Sequence, residues 1–236
     1  MTAPSSRNEM ASGTRKPLAL VVFLENVGHI HGLNLPHWVM QTIDFVTEEY
    51  AKVILRLYGA YRRYDQVLIL EDTRATGHEL TEALLTASRQ HRVDLLLLVH
   101  GRPGSLVGFR DQVSVGASTF KPLIQAYQDD PSLLDLRMVY GLNCFGASLA
   151  PVWLALGADA VNGSAGVNWL PEPSLSLFLR DWLQGVRFSE AVIRSNHVAC
   201  AVGSRVWRPT EGGNEHPNIT SSRQAIFGVC DVTVDG

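Results

Sequence analysis

Short apolar runs that alternate with helical patterns most constrain the fold of this 236-residue chain. Each run is short and is bounded by polar or turn-forming residues; the runs span 18–24, 66–70, 94–99, 136–142 and 158–161. Segments with apolar residues at helical spacing lie between them, a pattern typical of βαβ units. A last run at 225–234 is a candidate closing strand. The alternation predicts an α/β protein with a mostly parallel central sheet flanked by helices.

The helical segments carry recognisable start signals. Asn34 and Pro36 supply a cap and a first-turn proline for a helix whose apolar stripe extends to Tyr61. Thr76 and Glu79 form a capping box that opens a helix ending near residue 90. The remaining segments are interpreted as follows: a small hairpin over 107–115, helices over 120–127, 147–156, 175–183 and 189–202, and a loop over 203–222.

Composition narrows the class of protein. Hydrophobic residues make up 46% of the chain and charged residues 18%, which suits a folded domain with a sizeable core. The net charge of −3 gives no electrostatic case for binding nucleic acid or an acidic membrane. The run at 18–24 is too short to span a bilayer. We therefore expect a flexible polar tail over 1–16 and a single α/β domain over 17–236.

The cysteine content indicates the compartment. Cys144, Cys200 and Cys230 are an odd number in a chain of this length, which does not suit a disulfide framework. A reducing, cytoplasmic environment is therefore expected.

Two of the predicted strands stop at residues that can carry nucleophilic chemistry. The run at 94–99 ends in His100-Gly101, and the run at 136–142 ends in Asn143-Cys144. Because sites in open α/β sheets form at the carboxyl ends of strands, neighbouring strands would bring this imidazole and thiol together. The imidazole could then accept the thiol proton, and the amides of Gly101 and Cys144 could both point at an oxyanion. Four more polar residues fall just past strand ends: Glu25, Asn26, Glu71 and Asp72.

A purely structural interpretation competes with this hypothesis. A buried cysteine before a helix is most often a small apolar residue, and a histidine at a strand end is often structural. The two together, each followed by a glycine-rich turn, favour the catalytic hypothesis. His29, His31 and His37 are interpreted as part of a loop at the cleft rim, since no cysteine or further ligand accompanies them. No metal or cofactor is expected.

Four ordered blocks of the chain resemble the caspase-like cysteine peptidase superfamily, which includes caspases, legumains, gingipains, metacaspases and CHAT-type domains. His100-Gly101-Arg102-Pro103-Gly104-Ser105 after its strand is similar to the family's histidine block. Gly141-Leu142-Asn143-Cys144-Phe145-Gly146 looks like the nucleophile block. The segment 71–84 resembles the second strand and helix, and 157–164 resembles the strand after the nucleophile helix. Counted from the first predicted strand to the helix that starts within 185–191, the resemblance covers residues 18 to about 202 in the family's order.

The resemblance implies a three-layer caspase-like fold and a role for each matched residue. His100 would be the general base and acid, Cys144 the nucleophile, and the Gly101 and Cys144 amides the oxyanion donors. Glu25 or Asn26 could orient His100; Glu25, Glu71 and Asp72 could also bind a basic substrate side chain. The chain departs from the family at Leu142, where caspases and metacaspases carry a polar or acidic specificity residue two positions before the cysteine.

Three functions are compatible with these residues. The leading hypothesis is a cysteine endopeptidase that cleaves a polypeptide through a His–Cys dyad and an acyl-enzyme. The first alternative is a catalytically inactive caspase-like binding or signalling module. The second is a cysteine-dependent amidase or transferase acting on a small amide. The resemblance also implies a regulatory protein partner or a homodimer formed through an edge strand.

Overall fold

The computed structural model describes residues 16–25, 49–109, 113–210, 212–228 and 232–236. Asn26, the three histidines between 29 and 37, the start signals Asn34 and Pro36, and Cys230 lie outside the described residues, as does almost all of the predicted tail. Six strands form the main sheet, in the order β2-β1-β3-β7-β8-β9. All neighbours in it pair in parallel except β8 and β9. The strands are β1 (Leu18–Leu24), β2 (Gln66–Leu70), β3 (Arg92–Leu98), β7 (Leu136–Gly141), β8 (Ala160–Ser164) and β9 (Gln224–Gly228).

A second, three-stranded antiparallel sheet follows β3 directly. It consists of β4 (Gly101–Arg102), β5 (Ser105–Val107) and β6 (Ser114–Gly116). Its first strand begins one residue after His100. The predicted hairpin over 107–115 is therefore part of a larger unit that starts at the candidate catalytic histidine.

Helices cover both faces of the main sheet and make a three-layer α/β/α structure. They are α1 (described over 49–57), α2 (Ala60–Arg63), α3 (Gly77–Ser88), α4 (Ala117–Asp129), α5 (Ala150–Ala155), α6 (Pro171–Leu183), α7 (Phe188–Val206) and α8 (Pro217–Ser222). Side chains of α3, α4 and α5 pack on the face that includes Val21 and Leu95. Those of α1, α6 and α7 pack on the face that includes Val22 and Leu96. The caspase-like α/β architecture implied by the sequence is confirmed.

Several predicted boundaries are wrong for identifiable physical reasons. The strand predicted at 158–161 is β8, two or three residues later, because buried Asn162 continues the strand and accepts a hydrogen bond from Gly141 N–H at 2.9 Å. The loop predicted over 203–222 contains the end of α7 and all of α8, which starts with Pro217 at its first position.

The capping box predicted at the start of α3 forms only in part. Thr76 Oγ1 accepts from Glu79 N–H at 3.2 Å, but the Thr76 N–H donates to Arg74 O instead of to Glu79. The Glu79 carboxylate pairs with Arg74 Nε at 3.3 Å.

The amino ends of β3 and β7 share a buried ion pair. Arg137 and Asp94 are fully buried, with Nε–Oδ1 and Nη2–Oδ2 contacts of 2.9 and 2.5 Å. The β3–β7 register shifts at this point, so Arg137 is an extra residue between Leu136 and Met138. This bulge turns the guanidinium to the same side as Met138.

The same cluster ties the end of the chain to the sheet. Tyr64 donates to Asp94 Oδ2 at 2.6 Å, and Trp182 Nε1 donates to the Tyr64 hydroxyl at 2.9 Å. Burial, reinforced by the Asp94 carboxylate, raises the pKa of Tyr64 well above its usual range, so the phenol stays a donor. Arg137 Nη1 donates to the carbonyl of Thr233 at 2.8 Å. We call these four side chains the amino-end cluster: Asp94, Arg137, Tyr64 and Trp182.

Candidate active site

His100 and Cys144 lie at equivalent positions beyond two adjacent strands. The last paired residues of β3 and β7 are Leu97 and Gly141, and each candidate follows three residues later. The Leu142 N–H still donates to Leu97 O at 3.1 Å, so the pairing continues toward both residues. The carboxyl edge of the sheet therefore brings the two segments side by side.

The backbone after His100 contacts the backbone of Cys144 directly. A Cβ built on Gly101 would lie 2.0 Å from Cys144 O and 3.1 Å from Asn143 Nδ2. Only glycine allows this approach, since any larger residue would force the two segments apart. The glycine of the His-Gly pair therefore fixes the spacing between the two strand ends.

The turn that carries Cys144 is tightly constrained. Phe145 has φ 56° and ψ 26°, a left-handed conformation that is uncommon for a non-glycine residue. Its N–H donates to Gly166 O at 2.7 Å, which holds the turn against the segment after β8. A Cβ on Gly163 would lie 2.2 Å from the carbonyl carbon of Gly146, so β8 packs directly under the turn. Strain of this kind concentrates at functional sites because the surroundings over-determine it.

A side-chain hydroxyl connects the two candidate segments. Ser148 Oγ donates to Phe145 O at 2.6 Å and accepts from Gly104 N–H at 2.8 Å. Gly104 lies in the turn between β4 and β5, four residues after His100. The turn that carries Cys144 and the hairpin after His100 are therefore joined at two points, through Gly101 and through Ser148.

The Cys144 thiol is half-buried and receives a backbone hydrogen bond. The Asn168 N–H donates to Cys144 Sγ at 3.4 Å, and Asn168 Nδ2 donates to Leu142 O at 2.9 Å. This N–H contact holds the sulfur in place beside the segment after β8. Sequence reasoning missed Asn168, and nothing in its local pattern distinguishes it from other polar loop residues.

The helical segment after Cys144 is shorter and less regular than predicted. The predicted helix over 147–156 is one 3₁₀ turn, Gly146–Leu149, followed by the six-residue α5. A macrodipole this short stabilises an anion weakly. The Asn168 amide is the better-placed polar group.

The structure separates the carboxylates that the sequence grouped together. Glu25 is buried directly after β1, and its N–H donates to Leu98 O at 3.3 Å, so it lies one strand from the His100 segment. Glu71 and Asp72 follow β2, two strands from β3 and hence about 10 Å farther along the sheet. Glu71 pairs there with Lys52 at 2.6 Å, and Asp72 is exposed.

An apolar pocket opens between the strand ends and α6. It has a volume of about 120 Å³, and the described residues that line it are Leu24, Tyr50, Ala51, Leu98, Val99, Leu142, Pro171, Glu172 and Leu175. Val99 precedes His100, and Leu142 lies two residues before Cys144. The pocket is therefore continuous with the segments that carry the thiol and the imidazole. Sequence reasoning missed Glu172, which is separated from Cys144 along the chain by a 3₁₀ turn, α5, β8 and a loop.

The three-layer sandwich with cysteine and histidine at adjacent strand ends has the caspase-like fold, and solved structures of cysteine peptidases are similar to it. Gingipain R (RgpB), an Arg-specific cysteine proteinase, superposes with a TM-score of 0.57 over 92% of this chain at 12% identity. The complex of the Porphyromonas gingivalis RgpB pro- and mature domains is also similar, with a TM-score of 0.55 at 12% identity. Caspase-1 from Spodoptera frugiperda gives 0.54 over 97% of this chain at 10% identity.

The extent of these matches differs. This chain spans about half of the gingipain chains, 47% and 49%, but 93% of the caspase chain. No protein-family model and no curated protein sequence matches the chain. At such low identities the likeness shows the fold. Among the described residues, no helix has both the length and the hydropathy needed to cross a membrane.

Proposed function

We propose that the protein is a cysteine endopeptidase in which Cys144 is the nucleophile and His100 is the general base and acid. The observation that carries this proposal is the contact between the Gly101 backbone and the Cys144 backbone at two adjacent strand ends. Neither the sheet nor its core requires an imidazole and a thiol at these two positions. A shared edge with a fixed spacing is what a thiol–imidazole dyad needs.

The reaction follows from the chemistry of the two side chains. His100 takes the proton of Cys144, and the thiolate attacks the substrate carbonyl carbon to form a tetrahedral intermediate. The N–H groups of Gly101 and Cys144 stabilise its oxyanion. The imidazolium then protonates the leaving amine, and a thioester acyl-enzyme remains. His100 next deprotonates water, which attacks the thioester and releases the acid and the free thiol.

Other groups support these two residues. The Asn168 N–H donates to the sulfur and helps to fix the position of the thiol before substrate binds. Glu25, buried one strand away, is a candidate for orienting the His100 ring, as is Asn26 immediately after it. The Ser148 bridge to Gly104 keeps the nucleophile turn and the histidine hairpin in a single arrangement.

The test is peptide cleavage by the wild-type protein and by three variants, with products identified by mass spectrometry. Cys144→Ala and His100→Ala should each lose at least about 1,000-fold in turnover, because each removes one half of the dyad. Cys200→Ala is the matched control, since burial raises the pKa of the Cys200 thiol and keeps it protonated. Full activity of Cys144→Ala would contradict the proposal.

Two other outcomes would identify the alternative functions. A folded wild-type protein that cleaves no peptide, and whose Cys144 resists iodoacetamide at neutral pH, would support a binding or signalling module. Turnover of small amides without cleavage of peptides would support an amidase or transferase.

A further inference from the structure

The apolar pocket beside the dyad contains one carboxylate. Four of the nine described residues that line it are leucines: Leu24, Leu98, Leu142 and Leu175. Glu172, in the first turn of α6, is the only acidic residue among the described lining residues. A single charged group in an otherwise apolar pocket is the arrangement that fixes the orientation of a ligand.

One of the two oxygens of this carboxylate is satisfied and the other is not. Glu172 Oε2 accepts from Ser176 Oγ at 2.8 Å, and Ser176 Oγ lies 3.1 Å from the Tyr50 hydroxyl. Glu172 Oε1 is shielded from solvent and accepts no hydrogen bond from the described part of the chain. A shielded carboxylate oxygen without a donor is costly, and a cationic ligand would remove that cost.

We propose that Glu172 determines substrate specificity, and that the pocket binds the Lys or Arg side chain on the amino side of the scissile bond. This inference rests on the proposed function, since it takes the pocket to be the substrate pocket of the same site. The methylene stem of Lys or Arg packs on the leucines, and its charged head pairs with Glu172. At about 120 Å³ the pocket suits one side chain, since a cavity of roughly 150 Å³ admits a benzene ring.

The chemistry of the pocket argues against the other side chains. A leucine or phenylalanine would fit the apolar wall but would bury the Glu172 carboxylate further without a partner. An aspartate would bring a second negative charge to the same pocket. Glu71, which the sequence offered as a partner for a basic side chain, is paired with Lys52 two strands away. Glu172 is therefore the carboxylate with both the position and the free acceptor.

Binding to the Cys144→Ala protein tests this inference without requiring turnover. Blocked peptides of the form acetyl-Ala-Ala-X-Ala-amide, with X as Lys, Arg, Leu or Asp, are titrated calorimetrically. The Lys and Arg peptides should bind at least about 10-fold more tightly than the Leu peptide, and the Asp peptide weakest. Adding Glu172→Gln should remove the Lys and Arg preference without weakening Leu binding, because the Leu side chain then no longer buries an unpaired charge. Glu172→Asp, which keeps the charge, should retain part of the preference.

The control and the contrary results are equally specific. Glu190→Gln makes the same chemical change at an exposed residue of α7 that pairs with Arg194, and it should change no affinity. The inference is overturned if Leu or Asp peptides bind as tightly as Lys peptides, if Glu172→Gln weakens all peptides alike, or if none binds. Cleavage by the wild-type protein is scored separately. If Lys peptides bind preferentially but none is cleaved, Glu172 still forms a pocket for basic side chains and the peptidase proposal is rejected. If peptides are cleaved after residues other than Lys and Arg, the peptidase proposal holds and the role of Glu172 in specificity is rejected.

Discussion

The two ends of the β3–β7 strand pair differ in how their polar side chains are buried and paired. At the amino end, Asp94 and Arg137 are fully buried and hold each other in a two-point ion pair. At the carboxyl end, His100 and Cys144 follow the last paired residues, and the thiol is half-buried beside an open pocket. The same two strands therefore carry polar side chains that are shielded from solvent at one end and a partly exposed thiol at the other.

The difference shows that one pair of strands can carry a closed polar cluster at one end and two polar side chains at a fixed spacing at the other. In the amino-end cluster, the Asp94 carboxylate accepts from Tyr64 and the Arg137 guanidinium donates to the carbonyl of Thr233, so both charges of the buried pair have further partners. At the other edge, the close backbone approach at Gly101 and the Ser148 hydroxyl hold the segments that carry His100 and Cys144 side by side. The following predictions test this division, beginning with the largest expected effect.

Removing one partner of the buried ion pair should have the largest effect on folding. Arg137→Met leaves the Asp94 carboxylate buried without its cation and should cost about 3–5 kcal/mol in unfolding free energy. Urea denaturation followed by circular dichroism measures it. Arg92→Met is the control, because Arg92 Nε lies 3.6 Å from Asp135 Oδ1 in a partly exposed ion pair. This variant should lose less than about 1 kcal/mol in unfolding free energy. Equal losses in the two variants would show that the buried ion pair contributes no more to stability than the partly exposed one.

Breaking the spacing at the other edge should affect activity more than stability. Gly101→Ala places a methyl group 2.0 Å from Cys144 O, so the two strand ends must separate. Peptide turnover should fall about 100-fold, while unfolding free energy falls by about 1–3 kcal/mol.

Gly104→Ala is the control, because it changes a glycine of the same hairpin without creating a clash with the Cys144 segment. Gly104 has φ 75°, but open space surrounds the position of its Cβ. Its variant should lose about 1 kcal/mol and only a few-fold in turnover. Turnover of Gly101→Ala within a few-fold of wild type would contradict the spacing argument.

Removing the tyrosine hydroxyl should weaken the amino-end cluster by a smaller amount. Tyr64→Phe deletes the donor to Asp94 and the acceptor for Trp182 but leaves the ion pair intact. The expected cost is about 1–3 kcal/mol in unfolding free energy, with unchanged peptide turnover. Tyr61→Phe, at an exposed ring, should be neutral. Lost turnover in Tyr64→Phe would show that the two ends of the strands are coupled.

An exposed ion pair should give the smallest effect and a distinctive pH dependence. Hydrogen bonds from Arg223 lower the pKa of Glu215, so this contribution is present above the ordinary glutamate pKa. It is lost as the pH falls through the lowered value. Arg223→Gln should therefore cost at most about 1 kcal/mol at pH 7 and almost nothing at pH 3. Unfolding at both pH values checks this, and a loss that persists at pH 3 would assign the effect to packing.

The parts of this molecule that the sequence predicts are those whose signal is local. The strands Leu18–Leu24 and Gln66–Leu70 are found at the predicted bounds, because uninterrupted apolar runs with polar flanks define them. The positions of His100 and Cys144 at adjacent strand ends follow from the same runs and from the parallel topology.

The parts that the sequence conceals depend on distant partners. Arg137 looks like an interruption of an apolar run, and only the bulge and Asp94, 43 residues away, explain its burial. Asn168 and Glu172 approach the site through a turn whose path the local pattern does not encode. The start of α8 does have a local signal, a proline at the first helical position, Pro217. The other glycines and prolines of 203–222 made the segment look like a loop.

The dyad itself is the central claim, and the rate at which iodoacetamide modifies Cys144 at pH 6 tests it most directly. The rate is measured by mass spectrometry of the Cys144 peptide in the wild-type protein and in His100→Ala. If His100 holds the thiolate, the wild-type rate should exceed the variant rate about 100-fold, because an isolated thiol is almost fully protonated at this pH. Equal rates in the two proteins would contradict the dyad and with it the proposed peptidase mechanism.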